Sequence, residues 1–260
     1  MKKTLLILLL TGVSALAQCP TARIAVSADG NWHDADDICA SAMIVAMIGK
    51  TGNQAKLVHY DYANHYWQSS LASEEAMRVS TVDTATQWGG FSPVFFNATQ
   101  SRDAAVAHLA AEINKSTADN PLVILGLGPQ QTIGLAVAQS DKTHRGYVTF
   151  MSHGTWNDNH ATKDGASEGL PAPLYSFNKI GLMGIKLLHL IDQNPGTNRP
   201  YSEYYWLRDS VDPKMRWLWD RGQAAGKSTF DCSDAGVMYC YLTGDPTATP
   251  AKLKAFFSTP

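Results

Sequence analysis

Apolar residues in this chain fall into short runs separated by stretches of helical spacing, and the two alternate. Ile24-Ala25-Val26 is followed by a Gly-containing loop and then by a small, aliphatic run from Ile38 to Ile48, which predicts strand, loop and helix. Lys56 to Tyr62 predicts a second strand that ends at Asn64-His65, followed by a polar, Ala-containing helical stretch through Val82. Pro93 to Asn97 predicts a third, short strand, and Asp103 to Asn114 has the spacing of an amphipathic helix. Pro121 to Leu127 is a continuous apolar run, as expected for a strand buried on both faces of a parallel sheet. Two glycines mark the turn Gly126 to Thr132, and a helix is predicted over Ile133 to Gln139. Tyr147 to Ser152 predicts another strand leading into a polar and aromatic loop, His153 to His160. Asn178 to Asp192 reads as one amphipathic helix, and Phe230 to Leu242 places Asp231 and Asp234 before a final helix-like run. This rhythm predicts an α/β fold with an open, mostly parallel sheet flanked by helices on both faces.

The first residues do not belong to that pattern. Lys2 and Lys3, an apolar core from Leu5 to Leu10, and Ala15-Leu16-Ala17 make a secretory signal over residues 1–17, cleaved after Ala17. Export to the periplasm or the medium follows. A lipoprotein anchor on Cys19 is disfavoured, because Gln18 stands where a small residue is wanted. The later apolar segment from Ile180 to Ile191 is broken by Lys186 and His189 and is too short to span a membrane. Residues 18–260 suit a single domain, without linker or internal repeat. Lys+Arg 21 against Asp+Glu 23 leaves no basic excess, so nucleic acid is not an expected partner and a small molecule fits better. Four cysteines in an exported chain allow three disulfide pairings. If Asp234 opens a helix through Tyr239, Cys232 and Cys240 are held too far apart to bond, and Cys39, early on the first helix, reads as a buried thiol.

The chemistry concentrates after the first strand. Asp29, Asp34, Asp36 and Asp37 are four carboxylates within nine residues, at the end of a strand where open α/β sheets bind ligands. Acids so close raise one another's pKa unless a cation neutralises them, and oxygen-rich ligation favours Ca²⁺ or Mg²⁺ over zinc. The competing reading is that Asp36 and Asp37 cap the helix and complement its dipole while Asp29 opens the turn.

Four segments, taken in order, resemble the nucleoside hydrolase superfamily, including divergent exported branches linked to carbohydrate binding. The family's first loop, Asp-x-Asp-Pro-Gly-x-Asp-Asp, is similar to Asp29, Asn31, Asp36 and Asp37 with one extra residue. Its Gly-Asn at the end of the second strand is similar to Ala63-Asn64. Its Gly-Pro-Leu-Thr-Asn turn resembles Gly128-Pro129-Gln130-Gln131-Thr132, and its His-Asp pair opening a late helix resembles Ser233-Asp234. The resemblance implies a calcium ion held by Asp29 or Asn31, Asp37, Asp234 and the carbonyl of Gln131, with Asp36 and Asn64 contacting a sugar. It further implies sugar contacts from Asn157 and Asn159, and a leaving group protonated by His33, His153 or His160. Trp32, inside the acid loop, would stack on a sugar face.

One departure bears on the activity. Where the family carries an acid that both ligates calcium and accepts the proton of the attacking water, this chain has Asn31, and an amide cannot accept that proton. Either the extra loop residue shifts the register so that Asp34 or Asp29 is the base, or the usual reaction is absent. The first case gives a calcium-dependent hydrolase of a glycosidic bond in a nucleoside or small glycan. The second gives a carbohydrate-binding protein on a hydrolase scaffold. A metal-dependent phosphohydrolase suggested by His33-Asp34 fits poorly, because a lone His-Asp pair is common by chance. A homo-oligomer is compatible with either reading.

Overall fold

In the computed structural model, which describes residues 22–259, six strands form one sheet in the order β3-β2-β1-β4-β5-β6, every pair parallel. The strands are β1 (Arg23–Ala28), β2 (Leu57–Tyr62), β3 (Phe95–Asn97), β4 (Leu122–Leu127), β5 (Val148–Ser152) and β6 (Lys186–His189). The secretory signal and Cys19 lie outside the described residues. Strand order reverses between β1 and β4, so their carboxyl ends flank the crevice where such sheets take ligands.

Helices cover both faces. On one, α1 (Asp36–Lys50) packs with the helices Pro213–Ala224 and Ala235–Thr243; Met43, Ile44, Met47 and Ile48 are fully buried there. After α2 (Leu71–Arg78) and α3 (Thr84–Trp88), the other face is covered by α4 (Ala98–Asn114) and α5 (Gln131–Gln139), which bring Val106, Leu109, Ile113, Ile133 and Val137 against Ile124 and Phe150. Truncating any one of these buried aliphatic side chains to alanine costs about 2–5 kcal/mol. Asn97 caps α4 by accepting from Thr99 N (3.0 Å) and Gln100 N (3.3 Å), and the helix kinks at Ser101 before the predicted stretch begins.

Two predicted elements differ. His153 to His160 is not a loop: after Gly154, whose φ of +79° ends the extended backbone, Thr155–Lys163 forms a helix, α7, preceded by the short α6 (Lys142–Arg145). Nor is Asn178 to Asp192 one helix. The helix α8 (Phe177–Leu182) stops at Met183, Gly184 takes φ +101°, and the chain doubles back as the edge strand β6, with Leu187 against Gly181. A Cβ on Gly181 would lie 2.5 Å from Leu187 Cδ1, so the two segments pack closely at the reversal. Cys39, Cys232 and Cys240 are buried free thiols. Among the described residues no helix is long and apolar enough to cross a membrane.

Candidate metal centre and its surroundings

The loop after β1 runs into the first turn of α1 and carries its acids inward. Asp29 is 1% and Asp37 2% exposed, and Gly30, with φ +79°, lies so close to Met77 that a Cβ there would meet its sulfur at 2.4 Å. Asp36 and Asp37 do not cap α1, although as acids in its first turn they complement its dipole. The N-cap of α1 is Ala35, without a side-chain cap bond, so Asp36 and Asp37 are first-turn residues whose carboxylates are available elsewhere.

Asp29, Asp34 and Asp37 each bring a carboxylate oxygen within 4.8 Å of the other two. Asp234 joins them from the start of the helix Ala235–Thr243 without spending its side chain on capping. Burial first, then the charges of Asp29, Asp234 and Asp34, pushes the Asp37 carboxyl well above its usual range, and burial likewise raises Asp29 and Asp34. Both oxygens of Asp29 and Oδ1 of Asp37 are buried without a hydrogen-bond partner, as are Oδ1 of Asn64 and both ends of the Gln130 amide. Buried acceptors left in this state cost free energy that a cation or polar ligand would recover. The donors are all oxygen, so the residues fit a hard divalent cation.

Asn31 does not contribute its amide nitrogen to this cluster. Nδ2 donates to the carbonyls of His65 and Gln68 and to Thr99 Oγ1, each at 3.1 Å, and ties the acid loop to the segment after β2. Asp34 is the third acid in the gathered set. Gln131 is the first residue of α5; its amide bridges Pro173 O (2.8 Å) and Tyr175 N (3.0 Å).

Charged groups that sequence reasoning missed frame the cluster. Lys227 Nζ reaches Asp36 Oδ1 at 2.5 Å and Asp231 Oδ2 at 3.4 Å. Burial acts upward on Asp36, but its hydrogen bond with Asp34 and the Lys227 ammonium outweigh this and hold it below the usual range. His153 Nε2 contacts Asp234 Oδ1 rather than open space. Burial alone would lower the His153 pKa; the Asp234 hydrogen bond and charge raise it instead.

Behind Asn64 runs a buried chain. Its Nδ2 donates to Ser27 Oγ (2.9 Å), which donates to Asp61 Oδ1 (2.7 Å); Asp61 Oδ2 meets His59 Nε2 at 3.0 Å, and His59 Nδ1 meets His108 Nδ1 at 3.0 Å. Ala63, with φ +58°, stands at the position where the resembled motif has glycine.

The remaining predicted residues separate. Trp32 and His33 lie against each other on the acid loop with ring centroids 4.0 Å apart and planes tilted by 50°, and His33 is exposed. Asn157 and Asn159 donate to the carbonyls of His153 (3.4 Å) and Thr155 (3.0 Å), along their own helix. His160 Nε2 meets Glu168 Oε2 at 3.1 Å, in a group that also holds His65 and Trp67. A cavity of about 450 Å³ between Gly49, Trp88, Trp206 and Phe257 lies at the opposite end of α1 from Asp37 and serves no part of this chemistry.

No family model matches the sequence. Among curated proteins, the chain is 32% identical over 241 residues to the uncharacterized protein P22 of Formosa agariphila, a match covering 86% of this chain and 85% of that protein. Among solved structures, a plant nucleoside hydrolase superposes with a TM-score of 0.51 at 11% identity, covering 86% of this chain and 79% of that one. The chain therefore belongs to the family of that Formosa agariphila protein, and it carries the nucleoside hydrolase fold.

Proposed function

We propose that the protein is a calcium-dependent hydrolase of a glycosidic bond, acting on an N-ribosyl or small glycan substrate. The observation that carries this reading is the convergence of Asp29, Asp34 and Asp37 at the end of β1, beside buried acceptors that have no partner. The fold of a nucleoside hydrolase supports it. Asp29, Asp37 and Asp234 would hold the ion, with Asn31 and the Gln131 carbonyl as the remaining candidates from the motif resemblance. When bound, calcium supplies positive charge that neutralises the acids and favours ionisation of a water.

Asp34 is the base in this reading. Its side chain is 33% exposed, whereas Asp29 is 1% exposed, so Asp34 can take a proton from water and release it to solvent. Asp36, held ionised by Lys227, and Asn64, fixed by Ser27 with its Oδ1 unspent, would orient sugar hydroxyls. Trp32 offers an apolar face to the sugar, and His33 an exposed imidazole beside it for the leaving group. His153 is bound to Asp234 and His160 to Glu168, which makes both weaker candidates for that proton.

The test is hydrolysis of a panel of nucleosides and small glycosides by the protein with calcium and with a chelator, beside Asp34→Asn and Asp37→Ala. Release of free sugar that requires calcium, is lost in Asp37→Ala and falls by 10²-fold or more in Asp34→Asn is the expected result. Calcium and sugar binding without turnover of any substrate would overturn the catalytic reading and establish a carbohydrate-binding protein on this scaffold.

A further inference from the structure

A second group of metal-type donors lies one residue beyond Asn64 and shares no member with the acid cluster. His65 comes from the segment after β2, His160 from α7, and Glu168 from the turn that follows α7. One ligand atom from each lies within 4.8 Å of the others; Glu168 Oε2 is 3.3 Å from His65 Nε2 and 3.1 Å from His160 Nε2. Donors around a tetrahedral zinc, at about 2.0–2.2 Å from the ion, sit roughly 3.3–3.5 Å apart along each edge. The Glu168–His65 separation fits that edge and the Glu168–His160 separation falls just short of it, so a small side-chain adjustment seats an ion between them.

We propose that His65, His160 and Glu168 form a separate binding site for a zinc-class transition ion. Two imidazoles and one carboxylate are the donor set of that class, and a hard oxygen-seeking ion does not select it. Both imidazoles are already sequestered: His65 is 1% and His160 7% exposed, and Nδ1 of His65 is buried without a hydrogen-bond partner. A carboxylate stands ready behind one ring, with Asp164 Oδ2 3.3 Å from His160 Nδ1, the arrangement that orients a metal-bound histidine from its far side. Trp67 donates to Glu168 Oε2 at 2.9 Å and fixes that side chain, and Trp156 stacks on His160 at 4.1 Å, walling the group from water. The Glu168 side chain is 24% exposed, which leaves an approach for the ion and a position for water. An ion here would clasp the segment after β2 to α7, across the rim next to Asn64.

The experiment titrates Co²⁺ and Zn²⁺ into the chelator-treated full protein and reads the visible absorption of tetrahedral cobalt, with calorimetry for affinity. The wild-type protein is expected to take one Co²⁺ with that absorption, displaced by Zn²⁺ and retained in excess Ca²⁺. Glu168→Gln keeps the shape of the side chain and should weaken binding by about 10-fold or more without lowering Tm; His160→Ala should abolish the absorption. Asp37→Asn should leave it unchanged, so the result stands apart from the fate of the calcium reading. Absence of the cobalt absorption in the wild type, or its persistence in both Glu168→Gln and His160→Ala, would overturn the proposal.

Discussion

His153 and Asp234, 81 positions apart in the chain, meet at 2.5 Å through Nε2 and Oδ1, both buried. The backbone N–H of Gln193 points at the other ring nitrogen, at 3.4 Å, which places the histidine proton on the side of Asp234. The imidazole therefore donates to one oxygen of a carboxylate whose charge is felt by both Asp29 and Asp37. Replacing His153 by alanine should lower calcium affinity by about 10–100-fold while leaving the fold intact, as loss of an outer-shell partner does. Calorimetric titration of the variant checks this; unchanged affinity would mean that Asp234 is oriented by something else.

Without a cation the buried Asp37 carboxylate opposes folding, and in the calcium site proposed above it would support it. Burial and three neighbouring acids disfavour its charge in the metal-free protein. Asp37→Asn keeps the shape and removes that charge, so in chelator it should raise stability by about 1–2 kcal/mol, or roughly 2–8 °C in Tm for a domain of this size. Saturating calcium reverses the order, because the wild-type protein gains about 2.7 kcal/mol at a hundredfold excess over Kd and the variant does not. Thermal unfolding in both conditions tests the crossing. A variant less stable than wild type in each would show that the acids are not a cation site.

Much of this site was legible because its acids are close in sequence. One strand, one loop and one helix start bring Asp29, Asp34 and Asp37 together, and the two strand-end motifs ending at Asn64 and Gly128 fall beside them at the switch point of the sheet. What was not legible depends on long-range placement. Lys227 lies 191 positions from Asp36 in a stretch without a motif, and Glu168 sits in a turn that gives no sign of facing His65, 103 positions away. The missed strand β6 has a local cause. Ile180, Met183, Leu187 and Leu188 fit helical spacing, yet Gly184 at φ +101° turns the chain onto the sheet edge, where only one residue of Lys186–His189 is even half-buried. An edge strand that exposed carries little of the apolar alternation by which strands are recognised.

The His59–His108 contact makes stability depend on pH. Burial, then the neighbouring His59, lowers the His108 pKa below the unfolded value of about 6.5. Below that pH the unfolded chain binds a proton that the folded chain resists, so this contribution is fully present above about 6.5 and is lost as the pH falls beneath it. Denaturant unfolding at pH 7.5 and 5.5 should show a loss at the lower pH that is smaller in His108→Gln, which can still hydrogen-bond His59. An equal loss in both proteins would assign the dependence to other groups.

Gly128 touches the site from the other side of the crevice. A Cβ built on it would lie 2.8 Å from both Asp29 Cγ and Asn64 Oδ1, closer than side chains tolerate. Asn64 is held by Ser27, and Asp29 is anchored because Ala63 N donates to its carbonyl at 3.1 Å. Relieving the clash shifts the Asp29 carboxylate or the loop behind it, so Gly128→Ala should cost about 1–3 kcal/mol and weaken calcium binding with it. Gly146→Ala is the comparison. Its Cβ would meet nothing within 4 Å and its φ of −64° suits any residue, so stability should stay within about 0.5 kcal/mol and calcium affinity should not move. If Gly128→Ala lost stability but kept its calcium affinity, the close approach of the two strand ends would be a packing requirement of the fold rather than a feature of the metal centre.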